Sequence, residues 1–322
     1  MQDPEIISVE RVREIMGNFS IASVRNWLKR CELPSTANSR AELIAKIHGL
    51  ILQHKLTEEG LSAAIVGIEE ASAKRTFLFR IPVDRDALKR IDKQLSDVKA
   101  PISNSVIRAT HPDLRPRLVY IINTEDELRA KWTELHTKVI AVRKTRKWEE
   151  TPKPKIVVLT VNKKSGIVQL RCDKPEDEHV HLGPSGPTAE AFYSAYLKMA
   201  ENLTGLRFEP IDLRPGLERV LKQEPRIVRT AYVVDDYEDG AHSRLSQKNK
   251  NKDVRDTDSW KRKAKSEVVS TSEESPLHWL KEMSGQQLHR DVFSNVDATA
   301  GQIRFDADCY EEEISYVLAQ LV

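Results

Sequence analysis

Apolar positions along the chain change period several times, and each change predicts an element. Across residues 1–55 they recur at helical spacing. Val9, Val12, Ile15 and Met16 share one face of a short helix. Ile21, Val24, Trp27 and Leu28 repeat the pattern over 21–31. Leu33-Pro34 ends that helix, because proline disfavours the helical region for the residue before it. Ser39-Arg40-Ala41-Glu42 reads as a capping box, with serine at the N-cap and glutamate three residues on. It opens a helix with Leu43, Ile44, Ile47, Leu50 and Ile51 inward, and Leu61, Ile65 and Ile68 predict another over 57–72.

From residue 76 the period shortens. Phe77, Phe79 and Ile81 alternate, as in a half-buried strand, and Leu88, Ile91 and Leu95 then mark an amphipathic helix over 84–98. Residues 118–122 form an apolar run of strand length. Thr124-Glu125-Asp126-Glu127 reads as a second capping box, and Leu128, Trp132, Leu135 and Val139 predict a helix from there to Lys147. Strands are expected at 155–161 and 167–172, joined by a hairpin turn with Gly166 late, and at 179–182. A helix over 187–203 with Gly205 as its C-cap and a strand over 226–234 follow. Apolar periodicity fails over 235–275, which reads as a charged linker or long loop. Beyond it the pattern predicts a helix over 276–288, a strand over 302–305 and a last helix over 310–321. Strands and helices intermix without strict βαβ alternation, so the expected class is α+β. Its parts are a helical module at 1–55, a mixed α/β body with antiparallel hairpin strands at 56–234, the linker, and a helix-strand-helix segment at 276–322 that completes the body.

Composition narrows the function classes. The 322 residues suit more than one domain at about 100–200 residues each. No apolar run reaches about 18 residues, so no membrane span is expected, and the start lacks a secretion signal's basic-then-apolar layout. Cys31, Cys172 and Cys309 lie far apart, which argues against a disulfide framework or a cysteine zinc module. They point to a reducing, intracellular setting: cytoplasm, nucleoid or nucleus. The formal charge of +2 hides its distribution. Arg244–Lys265 carries nine Lys/Arg against three acids, a net +6, whereas Asp291–Val322 carries seven acids and one Arg, a net −6. A uniformly basic coat protein is excluded; local phosphate binding is not.

Two basic clusters stand out. Arg25, Lys29 and Arg30 close the second helix, and Arg40 and Lys46 lie on the next, whose N-terminus offers free N–H groups to a phosphate oxygen. The stretch from Val24-Arg25-Asn26-Trp27-Leu28-Lys29-Arg30 through Leu33-Pro34 and a polar loop to Arg40-Ala41-Glu42-Leu43-Ile44-Ala45-Lys46-Ile47 resembles the SAP module, a small helix–loop–helix family. It differs in carrying Glu32 where that family usually has glycine, and in a loop to Arg40 one residue longer. The resemblance covers residues 20–52 and implies DNA binding by that hairpin. The second cluster is Lys138, Arg143, Lys144, Arg146 and Lys147, with no acid among them and Trp148 alongside. Such residues suit phosphate tracking and base stacking, or complement a helix C-terminus.

Other chemistry is thinner. Asp235, Asp236, Glu238, Asp239 and His242 are a candidate Mg²⁺ cluster for a metal-dependent nuclease, although no E-x-K triplet follows. His179 and His181 have zinc-compatible spacing, with His242 or Asp173 as a further ligand, and surface residues are the simpler reading. Neither a Walker loop, a GxGxxG fingerprint nor a GxSxG elbow is present, so no cofactor is expected. Cys31 sits beside basic residues whose charge lowers a thiol pKa, but no histidine is near it in sequence, and a buried helix cysteine is the default reading. The stripe Ile314, Val317, Leu318 and Leu321 of the last helix is core or a docking face for a protein partner. The expected function is therefore non-enzymatic nucleic-acid binding, most simply to DNA, in DNA maintenance or in defence against foreign DNA. Alternatives are the nuclease and a protein–protein scaffold.

Overall fold

The computed structural model describes residues 8–17, 20–71, 74–98, 115–142, 147–173, 189–224, 226–237, 242–247, 249, 252–264 and 270–322. The chain divides into two compact units, 1–72 and 73–322. The first is four helices: α1 (Val9–Met16), α2 (Ile21–Arg30), α3 (Arg40–Leu52) and α4 (Glu58–Ala71). Each of the first three starts at a serine, Ser8, Ser20 or Ser39, whose hydroxyl accepts a backbone N–H of the first turn. Their apolar faces meet in one core that includes Val12, Met16, Val24, Leu28, Leu43, Ile47, Leu61 and Ile65, all buried.

The second unit is α+β. In chain order it runs β1 (Lys74–Arg80), α5 (Arg85–Ser96), β2 (Arg117–Asn123), β3 (Glu127–Val142), β4 (Lys147–Asn162), β5 (Ile167–Asp173), α6 (Ala189–Thr204), β6 (Glu209–Pro210) and α7 (Arg214–Glu218). It continues β7 (Val228–Thr230), β8 (Tyr232–Tyr237), β9 (His242–Ser246), α8 (Asp258–Ala264), β10 (Ser270–Trp279), β11 (Val292–Asp297), β12 (Gln302–Phe305) and α9 (Glu311–Leu321). Among the described residues twelve strands join one antiparallel sheet in the order β2-β3-β4-β5-β1-β12-β11-β10-β8-β9, with β6 on β1 and β7 on β10. One face holds Phe79, Val168, Leu170, Leu159, Ala130 and Trp132 in a core with Ile91 of α5 and Tyr196 and Ala200 of α6. On the opposite face Tyr316 of α9 meets Trp279 edge-on at 6.1 Å, and Glu311 reaches Arg171. Among the described residues no helix is long and apolar enough to cross a membrane.

Three expectations are corrected. The helix expected from Thr124 to Lys147 is a strand: β3 pairs with both β2 and β4. Leu128, Trp132 and Leu135 satisfy helical spacing, but Leu128, Ala130 and Trp132 equally satisfy alternation. The β-branched residues Thr133, Thr137, Val139, Ile140 and Val142 favour the extended form. Thr124 and Glu127, read as a capping box, close a hairpin instead: the Thr124 N–H donates to Glu127 O at 2.8 Å, and its hydroxyl accepts from Glu127 N at 3.0 Å. The helix expected over 276–288 is the end of β10 followed by a single 3₁₀ turn, Lys281–Met283. The segment 235–275, expected as a linker or long loop, supplies β9, α8 and parts of β8 and β10. Short polar strands within a sheet need no apolar periodicity of their own, which is why the pattern missed them. The strand expected at 179–182 lies outside the described residues.

Candidate nucleic-acid interface

In the helical unit, α2 ends in a Schellman turn: Leu33 N donates to Leu28 O and Glu32 N to Lys29 O. Glu32 sits at φ +56°, the left-handed position that glycine fills without penalty. Glu32→Gly is therefore expected to stabilise this unit by about 1 kcal/mol, read as a rise in its unfolding midpoint; an unchanged or lower midpoint refutes the strain.

Beyond that turn the loop to α3 is held from both sides by basic side chains. The Arg25 Nε donates to Ser35 O at 3.1 Å. The Lys46 ammonium donates to Thr36 O and, at 3.2 Å, to Thr36 Oγ1. Both groups bond neutral oxygens, so their charges converge on adjacent loop residues with no carboxylate paired to either among the described residues. At the start of α3, Glu42 N donates to Ser39 Oγ at 3.2 Å, while the Glu42 carboxylate accepts from Asn38 N at 2.7 Å. The serine half of the expected box is in place, while the glutamate's return bond goes to Asn38, one residue before the N-cap. Lys29 is exposed, and its ammonium makes no ion pair or hydrogen bond among the described residues. Arg40 reaches Met16 O at 3.5 Å, and Arg30 lies at the last turn of α2. The five sequence-selected residues thus belong to two consecutive helices, and two of them hold the loop between. Cys31 is exposed rather than the buried helix cysteine expected, and what desolvation it has pushes its thiol up by more than Arg30 pulls it down.

Of the second basic cluster, Lys138 and Lys147 lie on strands rather than on the expected helix. β3 and β4 are each 16 residues long. Neighbouring strands cover only part of them: β2 reaches Thr133, and β5 pairs over Val157–Val161. From Glu134↔Lys155 to Val142↔Lys147, nine register pairs form a ribbon of two strands among the described residues. Its root is fixed: Trp132 meets Tyr196 at 6.4 Å, the His136 ring meets Phe192 edge-on at 5.6 Å, and Glu134 Oε1 bonds His136 Nε2 at 2.6 Å. Sequence explains why no third strand continues. Ile156 N–H points to the β5 side, where it donates to Asp173 Oδ2 at 2.7 Å. Pro154 and Pro152 follow at steps of two, so their nitrogens face that same outer edge and offer it no donor. Lys138 stands opposite Thr151, and Lys147 opposite Val142. Arg143, Lys144 and Arg146 fall in the connection between Val142 and Lys147, outside the described residues. The run of β-branched residues and the spaced prolines are the signals that distinguish this ribbon from a helix.

The remaining candidates are dispersed or enlisted in the fold. Asp235 is buried on β8, Asp236 pairs in register with His242, and Glu238 and Asp239 lie outside the described residues, as do His179 and His181. No metal-binding group of three or more His, Cys, Asp or Glu occurs among the described residues. Part of the +6 segment is structural: Arg255 pairs with Asp253 at 2.5 Å and bonds Val228 O, and Arg244 stacks 4.2 Å over Tyr232. The acidic end is likewise used internally, with Glu311 on Arg171, Glu313 on Arg290 and Asp306 on Arg304. Ile314, Val317, Leu318 and Leu321 are buried, so the stripe that read as core or docking face is core. Neither a protein-family description nor a curated protein matches this chain.

Proposed function

We propose that this is a DNA-binding protein whose N-terminal helical unit contacts phosphates through the α2–α3 loop, without catalysing a reaction. Its setting is then intracellular, in DNA maintenance or in defence against foreign DNA. The observation that carries the reading is the convergence of the Arg25 and Lys46 charges on Ser35 and Thr36, at the positive end of the α3 dipole and with Lys29 exposed nearby. Such contacts release counterions, so affinity falls steeply with salt.

The test compares Lys29→Glu/Arg30→Glu with Lys89→Glu/Lys93→Glu on the exposed face of α5, which changes the net charge equally. In a shift assay with duplex DNA across a salt series, the α2 pair should weaken binding by about tenfold or more and flatten the salt slope by about 2. The α5 pair should leave the slope close to wild type. Equal effects of the two pairs, or none, would sink the assignment.

A further inference from the structure

We propose that the half-buried sheet face beside α6 is a second nucleic-acid site, which stacks the bases of a single strand on Phe293 and His278. It lies on the α+β unit and does not depend on the α2–α3 loop. Three features carry it: the side chains that one face collects, the polar groups left without partners, and the breadth of the face.

The face follows from the register. Residues two apart on a strand, and residues directly opposite on its neighbour, point to the same side. Arg75 alternates with Phe77 and Phe79, so it shares the side on which α5 and α6 pack. Arg304 stands opposite Arg75, Asn295 opposite Arg304, and Phe293 two residues along β11. Phe293 stands opposite His278, and His278 opposite Arg229 of β7. Contacts agree with this placement: the His278 and Phe293 rings lie 4.8 Å apart, and the Arg75 guanidinium lies 5.6 Å over Tyr193 of α6. All of these side chains are half-buried. Rings interleaved with arginines are what base stacking and phosphate tracking need.

Partners are missing on this face. Arg75 Nε, Arg229 Nε, Tyr193 Oη and Asn295 Oδ1 are buried without a hydrogen-bond partner among the described residues, and neither Arg75 nor Arg229 makes an ion pair there. The acids of the face are each bonded within the fold. Glu274 accepts from Tyr232 Oη at 3.1 Å and from Asn295 Nδ2 at 3.2 Å, and Asp306 holds Arg304 at 3.1 Å. Asp291 and Asp297 accept from Lys281 N and Ala300 N. Buried polar groups are normally bonded, and this unbonded set joins donors to an acceptor and a hydroxyl. A simple anion satisfies donors alone, whereas a base edge carries both kinds of group. Breadth then selects the single strand. From Arg75 on β1 to Arg229 on β7 the face crosses five strands, about 19 Å at about 4.8 Å per step. A face this broad enters neither a major groove of about 12 Å nor a minor groove of about 6 Å, and a duplex keeps its bases stacked on each other. The bases of a single strand are free to lie on it.

The experiment uses the full chain with labelled oligo(dT) and oligo(rU) of about 12 nucleotides, and a DNA duplex for comparison. Wild type is expected to bind a single strand. Phe293→Leu, which keeps apolar bulk but removes the ring, should lose about tenfold in that affinity, and Phe293→Tyr, which keeps a ring, should lose far less. Arg75→Gln/Arg229→Gln leaves the rings in place and covers the case in which Phe293→Leu fails to fold; it should flatten the salt slope by about 0.7 per arginine. Whether oligo(dT) or oligo(rU) binds more tightly tells DNA from RNA, and either order supports the platform. No single-strand binding by wild type, or Phe293→Leu and the arginine variant binding as wild type does, would overturn the proposal. If those variants bind the single strand normally while Lys29→Glu/Arg30→Glu weakens it, the helical unit alone holds the strand, and only the role of the sheet face is lost. If they lose the single strand and keep the duplex, while Lys29→Glu/Arg30→Glu loses the duplex, both sites stand.

Discussion

Replacing Gly216 by alanine is expected to destabilise the α+β unit by about 3 kcal/mol, at the upper end of overpacking costs. A Cβ on this residue of α7 would lie 1.9 Å from Leu321 O, 2.6 Å from Leu321 C and 2.8 Å from its Cα. All three are backbone atoms, so no rotamer change relieves the clash; the last turn of α9 must move. That displacement lifts Leu321 out of the core and strains the 2.6 Å bond from Arg219 Nη2 to Gln320 O. For a unit of this size, 3 kcal/mol lowers the melting temperature by roughly 6–12 °C. The control is Gly67→Ala in α4, where nothing lies within 4 Å of the added carbon. There helix propensity alone acts, and the helical unit should gain up to about 1 kcal/mol. The same atom added to two helical glycines thus has opposite signs. Thermal unfolding of both variants decides it, and a Gly216→Ala protein that melts with wild type would show that α7 and α9 do not approach so closely.

How legible the molecule is from its sequence depends on which interactions define each part. The helical unit is local: Ser8, Ser20 and Ser39 cap their helices from within the first turn, and the apolar spacing of Val12, Ile15 and Met16 or Leu43 and Ile47 gives the buried faces directly. The hairpin between β4 and β5 is local too. The Asn162 side chain accepts the N–H groups of Lys164 and Ser165, and Gly166 takes φ +73° where a Cβ would lie 2.4 Å from Ile81 O. The β3 strand is not local. Residues four apart share a face in both a helix and a strand, so Leu128 and Trp132 support either until the partner strands are counted. Arg171 illustrates the same limit. It reads as one more basic residue on a strand, and only the fold reveals that its partner is Glu311, 140 positions away.

The candidate interface was legible to a similar degree. Arg25, Lys29, Arg30, Arg40 and Lys46 can be picked from the helical pattern, because consecutive helices must place them near one loop. That Arg25 and Lys46 grip this loop through Ser35 and Thr36 is a matter of tertiary geometry. The second cluster reads as a run of charge at a helix end, whereas Lys138 and Lys147 lie on β3 and β4. Its meaning changes with that element: basic residues at a helix C-terminus complement a dipole, which a strand does not offer.

The Arg171–Glu311 pair carries the second large expected effect. Arg171 is fully buried on β5, and both Glu311 oxygens accept from its guanidinium at 2.5 and 2.6 Å, with Gln169 Oε1 as a further acceptor. Glu311 is 42 % exposed, so the two partners are not equivalent. Glu311→Ala strands a buried cation and should cost about 3–5 kcal/mol. Arg171→Met removes the buried charge and leaves a carboxylate that can turn to water or to Arg129, 3.7 Å away, so its cost should be smaller. The double variant Arg171→Met/Glu311→Leu should recover much of the loss, because two apolar groups then replace the ion pair. Acid provides an independent check. Burial alone would raise the Glu311 pKa, but the Arg171 hydrogen bonds and charge outweigh it and hold the carboxyl below its usual 4.5. A depressed folded-state pKa contributes stability above the unfolded value, and that contribution disappears as pH falls through the folded one. Stability of the wild type should therefore drop below about pH 4.5, and Glu311→Gln, already weaker at neutral pH, should show a shallower acid slope. Single variants that cost the same, with a double variant as unstable as their sum, would show that the two side chains act independently and that α9 is held to the sheet by its apolar stripe alone.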